Sequence, residues 1–438
     1  MRSRSLVLSR FGALGTAALL VGLTAPATAT AAPDTDGRAV TVEERRLDRA
    51  APQEILRGSG FDTLAPELAR ALGRARSYDQ ARRVVVREGR SLWRRAVDRA
   101  QGRGPARVEG RAAHPQKGGG GRRAGISRDD DRPLYWARLG MTRELRQWEP
   151  DRFTLDERRR ERLIRALESA SRGQDDVRLP RGRGHAKRIL VTGFDPFTLD
   201  RDVRISNPSG AAALALDGTT IHTAEGPARV EAVTFPVRWR DFTDGAVERA
   251  LRPHLSRVDL FTTISQGRVG RFDVERTNGA WRGGFPDNEN ASRTETVPVN
   301  DPASQPQWTS TTLPYKKIVE GRTGRFPVYD NTSVTEIPAG GTEPVVRPGG
   351  PTEGSTARAG GGGDYLSNEI AYRATLLRDR LGLRDRLPGG HVHTPVLRFG
   401  AGNTDPATGT VTDPEFVRNR LDIVAQVRGI LRVAASGS

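Results

Sequence analysis

The chain contains no cysteine. That excludes disulfides, a thiolate metal site and a cysteine nucleophile, so any covalent chemistry must use another side chain. Only two methionines occur, and aromatic residues make up 6%. Bases and aromatics do not alternate, so the stacking platform of a single-strand nucleic-acid binder is missing. Of six histidines, only His391 and His393 are close in sequence. At i and i+2 of a strand they would point the same way, but no third ligand is in view, and no metal site is expected. The apolar stretch Phe11 to Leu23 falls short of a membrane span.

What is present in excess is positive charge: 70 Lys+Arg against 53 Asp+Glu, a net +17. Such a balance can mean an anionic partner. Here the excess is mostly arginine, alongside abundant Gly and Pro and few Met and Tyr, which reads as the codon bias of a GC-rich genome. No specific nucleic-acid partner is expected. The length of 438 residues allows two domains.

Residues 1–32 have the three parts of a secretory signal: Arg2, Arg4 and Arg10, then the apolar stretch, then small residues from Ala27 to Ala32. No Arg-Arg pair precedes the apolar run, so the general secretory route is expected. The mature chain would be secreted or in the cell envelope, without a transmembrane span. Residues 33–186 read as an Arg-rich helical accessory region. Leu56, Phe61, Leu64, Leu68, Leu72, Leu92, Trp93 and Val97 are apolar points among charges. A Gly-rich linker spans about 102–133, and the helical pattern resumes with Leu134, Trp136, Leu139, Leu145, Leu163 and Leu167. The charged faces, Arg159 to Arg162 included, are expected to face water.

At Arg188 the texture changes. Strands are expected at 189–191, 229–235, 258–264 and 326–329, and helices at 207–216 and 241–252. This alternation predicts an α/β fold over 187–438, with a mostly parallel sheet sandwiched by helices and preceded by the mainly helical region. Active sites in such sheets gather at the carboxyl ends of strands. There lie Thr192 to Phe197, Ser265 to Glu275, and the glycine run Gly360 to Gly363. Ser367 follows that run and starts a helix with Ile370, Ala371, Ala374 and Leu377 at helical spacing. A serine there is an N-cap, or a nucleophile whose oxyanion would find free N–H groups. Ser, His and Glu suffice for acyl transfer if a histidine takes the hydroxyl proton and a carboxylate orients the imidazole. Equally, His393 can be a core or capping residue, Glu275 a strand-end partner of Arg276, and Phe194 and Phe197 plain core. Residues 332–358, rich in Gly, Pro, Thr and Glu, read as an insertion: a lid or a disordered excursion.

A set of short motifs then occurs in a recognisable order. They are Ile189-Leu-Val-Thr-Gly-Phe-Asp-Pro-Phe197 followed by Asn207-Pro208, then Phe235-Pro236-Val237, Gln266-Gly267 and Val274-Glu275-Arg276. Phe285-Pro-Asp-Asn288, Thr311-Thr-Leu-Pro-Tyr315, Leu366-Ser367-Asn368 and His393-Thr-Pro395 complete the set. Over about 188–438 the chain resembles pyroglutamyl peptidase I, the pyrrolidone-carboxylate peptidase family. The resemblance implies an α/β enzyme without metal or organic cofactor, an omega peptidase that removes N-terminal pyroglutamyl residues from peptides. It implies Ser367 in the place of the family's catalytic cysteine, His393 as base and Glu275 as orienting acid. It also implies a lactam pocket from Phe194, Phe197, Tyr365 and Gln266. The family's arginine before its I-P-D-N motif is replaced by Gly284, and Arg282, two residues away, is the candidate auxiliary or oxyanion group. The alternative expectation is an inactive homologue that keeps the pocket and binds peptide termini, because serine lacks the partial ionisation of a thiol.

Overall fold

The computed structural model describes residues 38–103, 125–180 and 186–436. The signal expected over 1–32 lies outside them, as does most of the linker expected over 102–133. The described residues fall in one compact unit, Gly37–Ser438.

Among the described residues, six α-helices come first. α1 (Val42–Arg45) opens with a reciprocal capping box between Thr41 and Glu44. α2 (Ala50–Ser59) stops at Gly60, which takes the left-handed conformation. α3 (Leu64–Leu72) and α4 (Tyr78–Ala100) follow, the latter capped by Ser77. α5 (Arg132–Gln147) has a proline in its first turn, and α6 (Glu157–Ala170) is capped by Asp156. Their apolar stripes close into one core that also takes in Leu199, Leu214 and Val411 of the later chain. The charge run at 159–162 does not all face water. Arg160 is buried and donates to the carbonyls of Leu145, Arg146 and Trp148, the end of α5 that has no intrahelical partners.

The α/β part begins with β1 (Lys187–Phe194), α7 (Pro208–Leu216), β2 (Thr219–Thr223) and β3 (Gly226–Phe235). The helix expected at 241–252 is two helices, α8 (Trp239–Thr243) and α9 (Ala246–Leu255), because Gly245 at φ 75° breaks the run. Then come β4 (Leu260–Gln266) and β5 (Phe272–Glu275). Short strands β6 (Thr277–Gly279), β7 (Trp281–Gly283), β8 (Thr294–Thr296) and β9 (Trp308–Ser310) form two small antiparallel pairs. α10 (Tyr315–Glu320) and β10 (Val328–Asn331) lead to β11 (Val334–Ile337), β12 (Val345–Arg347) and β13 (Thr356–Ala359). α11 (Leu366–Arg380), β14 (Gly389–Thr394) and α12 (Pro414–Ala435) finish the chain.

The main sheet has seven strands in the order β10-β5-β14-β4-β1-β3-β2. Its pairs are parallel except β14 with β5 and β2 with β3. Ile189, Val191, Ile264, Phe272, Val274 and Val392 face a core shared with α7, α10 and α12. Leu190, Val233, Phe235 and Phe261 face a core shared with α9 and α11. The fold is thus α/β, a mostly parallel sheet between helices. Residues 332–358 are no disordered excursion: β12-β11-β13 is a small antiparallel sheet of its own, hereafter the flap.

Candidate active site

Strand alternation places the polar side chains. On β5, Phe272 and Val274 enter the core while Asp273 and Glu275 turn to the opposite face; on β14, Val392 enters the core and His391 and His393 turn away from it. β5 and β14 are antiparallel neighbours, with His393 opposite Asp273 and His391 opposite Glu275. His393 Nδ1 lies 2.7 Å from Glu275 Oε1. A carboxylate only accepts, so Nδ1 carries the hydrogen and the neutral ring keeps its lone pair at Nε2. Glu275 is fully buried. Its other oxygen, Oε2, accepts from Asn331 Nδ2 at 2.6 Å, and the Arg268 guanidinium stands 3.9 Å from Oε1. Gly267 packs against the ring so closely that a Cβ there would lie 2.6 Å from His393 Cβ.

His391 sits behind this pair, its ring 4.6 Å from that of His393 and nearly perpendicular. Its Nδ1 pairs with Thr263 Oγ1 at 2.7 Å and its Nε2 with Ser265 Oγ at 2.8 Å. Burial, and then the neighbouring His393, hold its imidazole well below the usual histidine range. Both nitrogens are engaged, so His391 offers no lone pair to a metal.

Ser367 lies in the first turn of α11. The N-cap position belongs to Tyr365, so Ser367 is not the cap, because the chain already enters helical geometry at Leu366. Its Oγ donates to Gly362 O at 3.1 Å. Gly362 borders the imidazole: a Cβ on it would lie 3.0 Å from His393 Cε1 and 3.5 Å from Asn368 N. Gly362 thus borders both residues, taking the Ser367 hydroxyl on its carbonyl and lying against the His393 ring. The first helical bond of α11 is Glu369 N to Tyr365 O, so the N–H groups of Leu366, Ser367 and Asn368 precede the ladder. Asn368, fully buried, clamps β6 by accepting from Gly279 N and donating to Gly279 O.

The four residues assigned to a lactam pocket do not act alike. Phe197 and Tyr365 share an aromatic group, their centroids 6.2 Å apart, with Trp239 and Phe285 each 5.2 Å from Tyr365. Phe285 is 50% exposed, so this group borders solvent. Phe194 is instead core: it stacks on Phe242 and tilts against Phe235. Gln266 Oε1 accepts from Leu397 N at 3.1 Å, which uses the acceptor half of its amide. Arg282 lies behind the aromatic group, its guanidinium 5.1 Å from the Trp239 ring. Fully buried, it spends its donors on both oxygens of Glu369, on Thr243 Oγ1 and on Glu295, and so fixes α11 from below.

The N-terminal helices reach the same region through buried charge. Asp195, in the loop after β1, accepts from Arg138 and Arg172. Asn288 donates to Glu43 and to Pro196 O, joining α1 to two of the loops. Arg238 bridges Glu43, Glu168 and Asp241. Burial pushes the Glu43 carboxyl up to about 7 against the pull of Arg238. Burial, then Asp287 and Glu43, raise the Tyr365 phenol above its ordinary range.

Sequence reasoning missed Asn331, Trp239 and Arg268. The last two border quoted motifs and could have been found there; Asn331 carries no local signal. A cavity of about 410 Å³ opens elsewhere, between α9 and residues 298–300, lined by Glu248, Arg249 and Arg252. It holds no histidine–carboxylate pair, so chemistry rather than volume assigns the site.

Comparison with known proteins gives three findings. The family described as PA0049 N-terminal domain matches residues 25–168, and PA0049, C-terminal domain matches 188–302 and 326–398. The PA0049 protein of Pseudomonas aeruginosa is 33% identical over 512 aligned positions, covering 90% of this chain and 88% of that protein. Among solved structures, pyroglutamyl peptidase I of Bacillus amyloliquefaciens is 21% identical at a TM-score of 0.38, covering 57% of this chain and 97% of that one. A variant of the pyrrolidone carboxyl peptidase of Pyrococcus furiosus is 22% identical at a TM-score of 0.38, covering 56% and 97%.

Proposed function

The chain belongs to the PA0049 family, both of whose domain descriptions it matches, and from that premise we propose that both halves together form a hydrolase acting on peptides. The reaction is acyl transfer at an N-terminal pyroglutamyl residue. Ser367 Oγ attacks the pyroglutamyl carbonyl, and His393 Nε2 takes the hydroxyl proton. The C–N bond breaks as His393 returns that proton to the leaving amine. Water, deprotonated by the same nitrogen, then cleaves the ester and restores Ser367. Glu275 orients the imidazole and balances the imidazolium. The N–H groups at the start of α11 receive the oxyanion. The aromatic group around Tyr365 takes the lactam ring.

The observation that carries this reading is the buried His393–Glu275 pair at 2.7 Å, beside the turn to which Ser367 is bonded. A fluorogenic pyroglutamyl amide tests it. Wild type should cleave the amide, and Ser367→Ala should lower kcat by about 10³-fold or more. Equal rates for the two proteins would sink the serine mechanism.

One observation favours a second reading. The Ser367 hydroxyl donates to Gly362 O rather than to a base. On that reading the chain is a binding module for pyroglutamyl or similar peptide termini. Calorimetric binding that persists in Ser367→Ala, without turnover by wild type, would establish it.

A further inference from the structure

We propose that Asn331 is a positioning residue of this site, holding the Glu275 carboxylate with one amide hydrogen and the glycine turn beneath Ser367 with the other. The inference rests on the roles given above to Glu275 and His393.

Asn331 ends β10 and stands opposite Glu275 in register. Its Nδ2 lies 2.6 Å from Glu275 Oε2 and 2.9 Å from Gly361 O. Both partners accept, so the nitrogen must face them. The amide oxygen is left to accept from Ser333 N at 3.3 Å. The backbone is fixed as well, since Arg276 N donates to Asn331 O at 3.0 Å. The fit on the far side is tight: a Cβ at Gly361 would lie 2.3 Å from Glu275 Oε2.

Glu275 is fully buried and spends Oε1 on His393. Without Asn331, Oε2 has no donor, and a buried carboxylate oxygen without one is costly. The carboxylate then turns to find water, and the direction of His393 Nε2 turns with it. Asn331 also closes the neck of the flap, because the flap leaves the sheet just after it and returns just before Gly361. A displacement at that neck therefore reaches Glu275 through a single side chain.

The test uses the full chain labelled with ¹⁵N-histidine. Wild type should show a far-downfield proton resonance from the His393 Nδ1–H bond to Glu275. Asn331→Ala should lose it through faster exchange with water. Asn331→Asp has nearly the same shape but sets a second carboxylate against Glu275, and it should lose the resonance too; circular dichroism identifies which variant is folded. On the pyroglutamyl amide, the folded variant should lose about 10²-fold in kcat with KM unchanged. A folded variant that keeps the resonance at its wild-type position overturns the proposal, as does a wild type without it. The resonance is read without turnover, so an inactive wild type removes the functional reading and leaves this test standing.

Discussion

The two sides of the candidate site are built from different materials. Toward the N-terminal helices, the loops after β1 and β7 are held by buried charge: Asp195 with Arg138 and Arg172, and Glu43, which pairs with Arg238 and accepts from Asn288. Toward the flap, the ties to the site are fewer: one asparagine amide and a glycine turn lead to a small sheet whose ion pair, buried Glu336 with Arg347, lies within it and whose outer strand exposes Val345 at 38% and Val346 at 65%. Buried charge fixes position at a high desolvation cost, and removing one partner strands the other. A single amide donor between the flap neck and Glu275 holds less firmly than a set of shared ion pairs. The aromatic side should therefore be the rigid wall and the flap side the adjustable one.

The largest test of that contrast is Asp195→Ala. It leaves Arg138 and Arg172 buried beside each other without their shared carboxylate, and should cost roughly 3–5 kcal/mol of stability, seen in urea unfolding. A cost near zero would mean the ion pairs brace nothing. A smaller effect is expected from pH. Asp131, at the head of α5, accepts from Ser206 and from Asn207 N, and burial, then Asp130, push its carboxyl up to about 7. A carboxyl raised in the folded state binds its proton more tightly there than in the unfolded chain. Stability from this group is thus fully present below about pH 4, the ordinary aspartate range, and is lost as pH rises through about 7. Asp131→Asn supplies a neutral side chain of the same shape and should flatten that loss by up to about 1.4 kcal/mol per pH unit. An unchanged slope would remove Asp131 as its source. The smallest effect belongs to the flap: Val346→Lys, on the exposed outer strand, should shift stability by no more than about 0.5 kcal/mol. A large loss would show the flap edge to be packed against something and would erase the difference between the two walls.

Part of the α/β order was legible because β1, β3 and β4 carry apolar runs, β1 ending in a loop of unusual composition, as at Ile189 to Phe197; β2, β5 and β14 carry polar residues along the strand and give no such signal. That Glu275 and His393 belong together was legible only through motif order, since 118 positions separate them in the chain. The buried arginines were not legible. Arg132, Arg138 and Arg172 look in sequence like any exposed helical charge, and their partners are set by tertiary docking: Arg138 meets Asp195 across 57 positions. Asn331 was hidden for a related reason. Its role depends on the register of β10 against β5 and on the return of the flap to Gly361, and neither leaves a periodic trace. The break at Gly245 has a signal in the glycine itself, but the apolar spacing on either side of it is continuous.

Gly267 and Gly361 close on the histidine–glutamate pair from two sides, each with no room for a single added carbon. Any side chain at Gly267 therefore collides with His393 and any at Gly361 with Glu275, so this region has almost no neutral neighbours in sequence space. Variation that alters what the protein accepts must enter elsewhere. The flap strands, inserted between Asn331 and Gly361, are where the chain can drift and lengthen while the pair beneath them stays fixed.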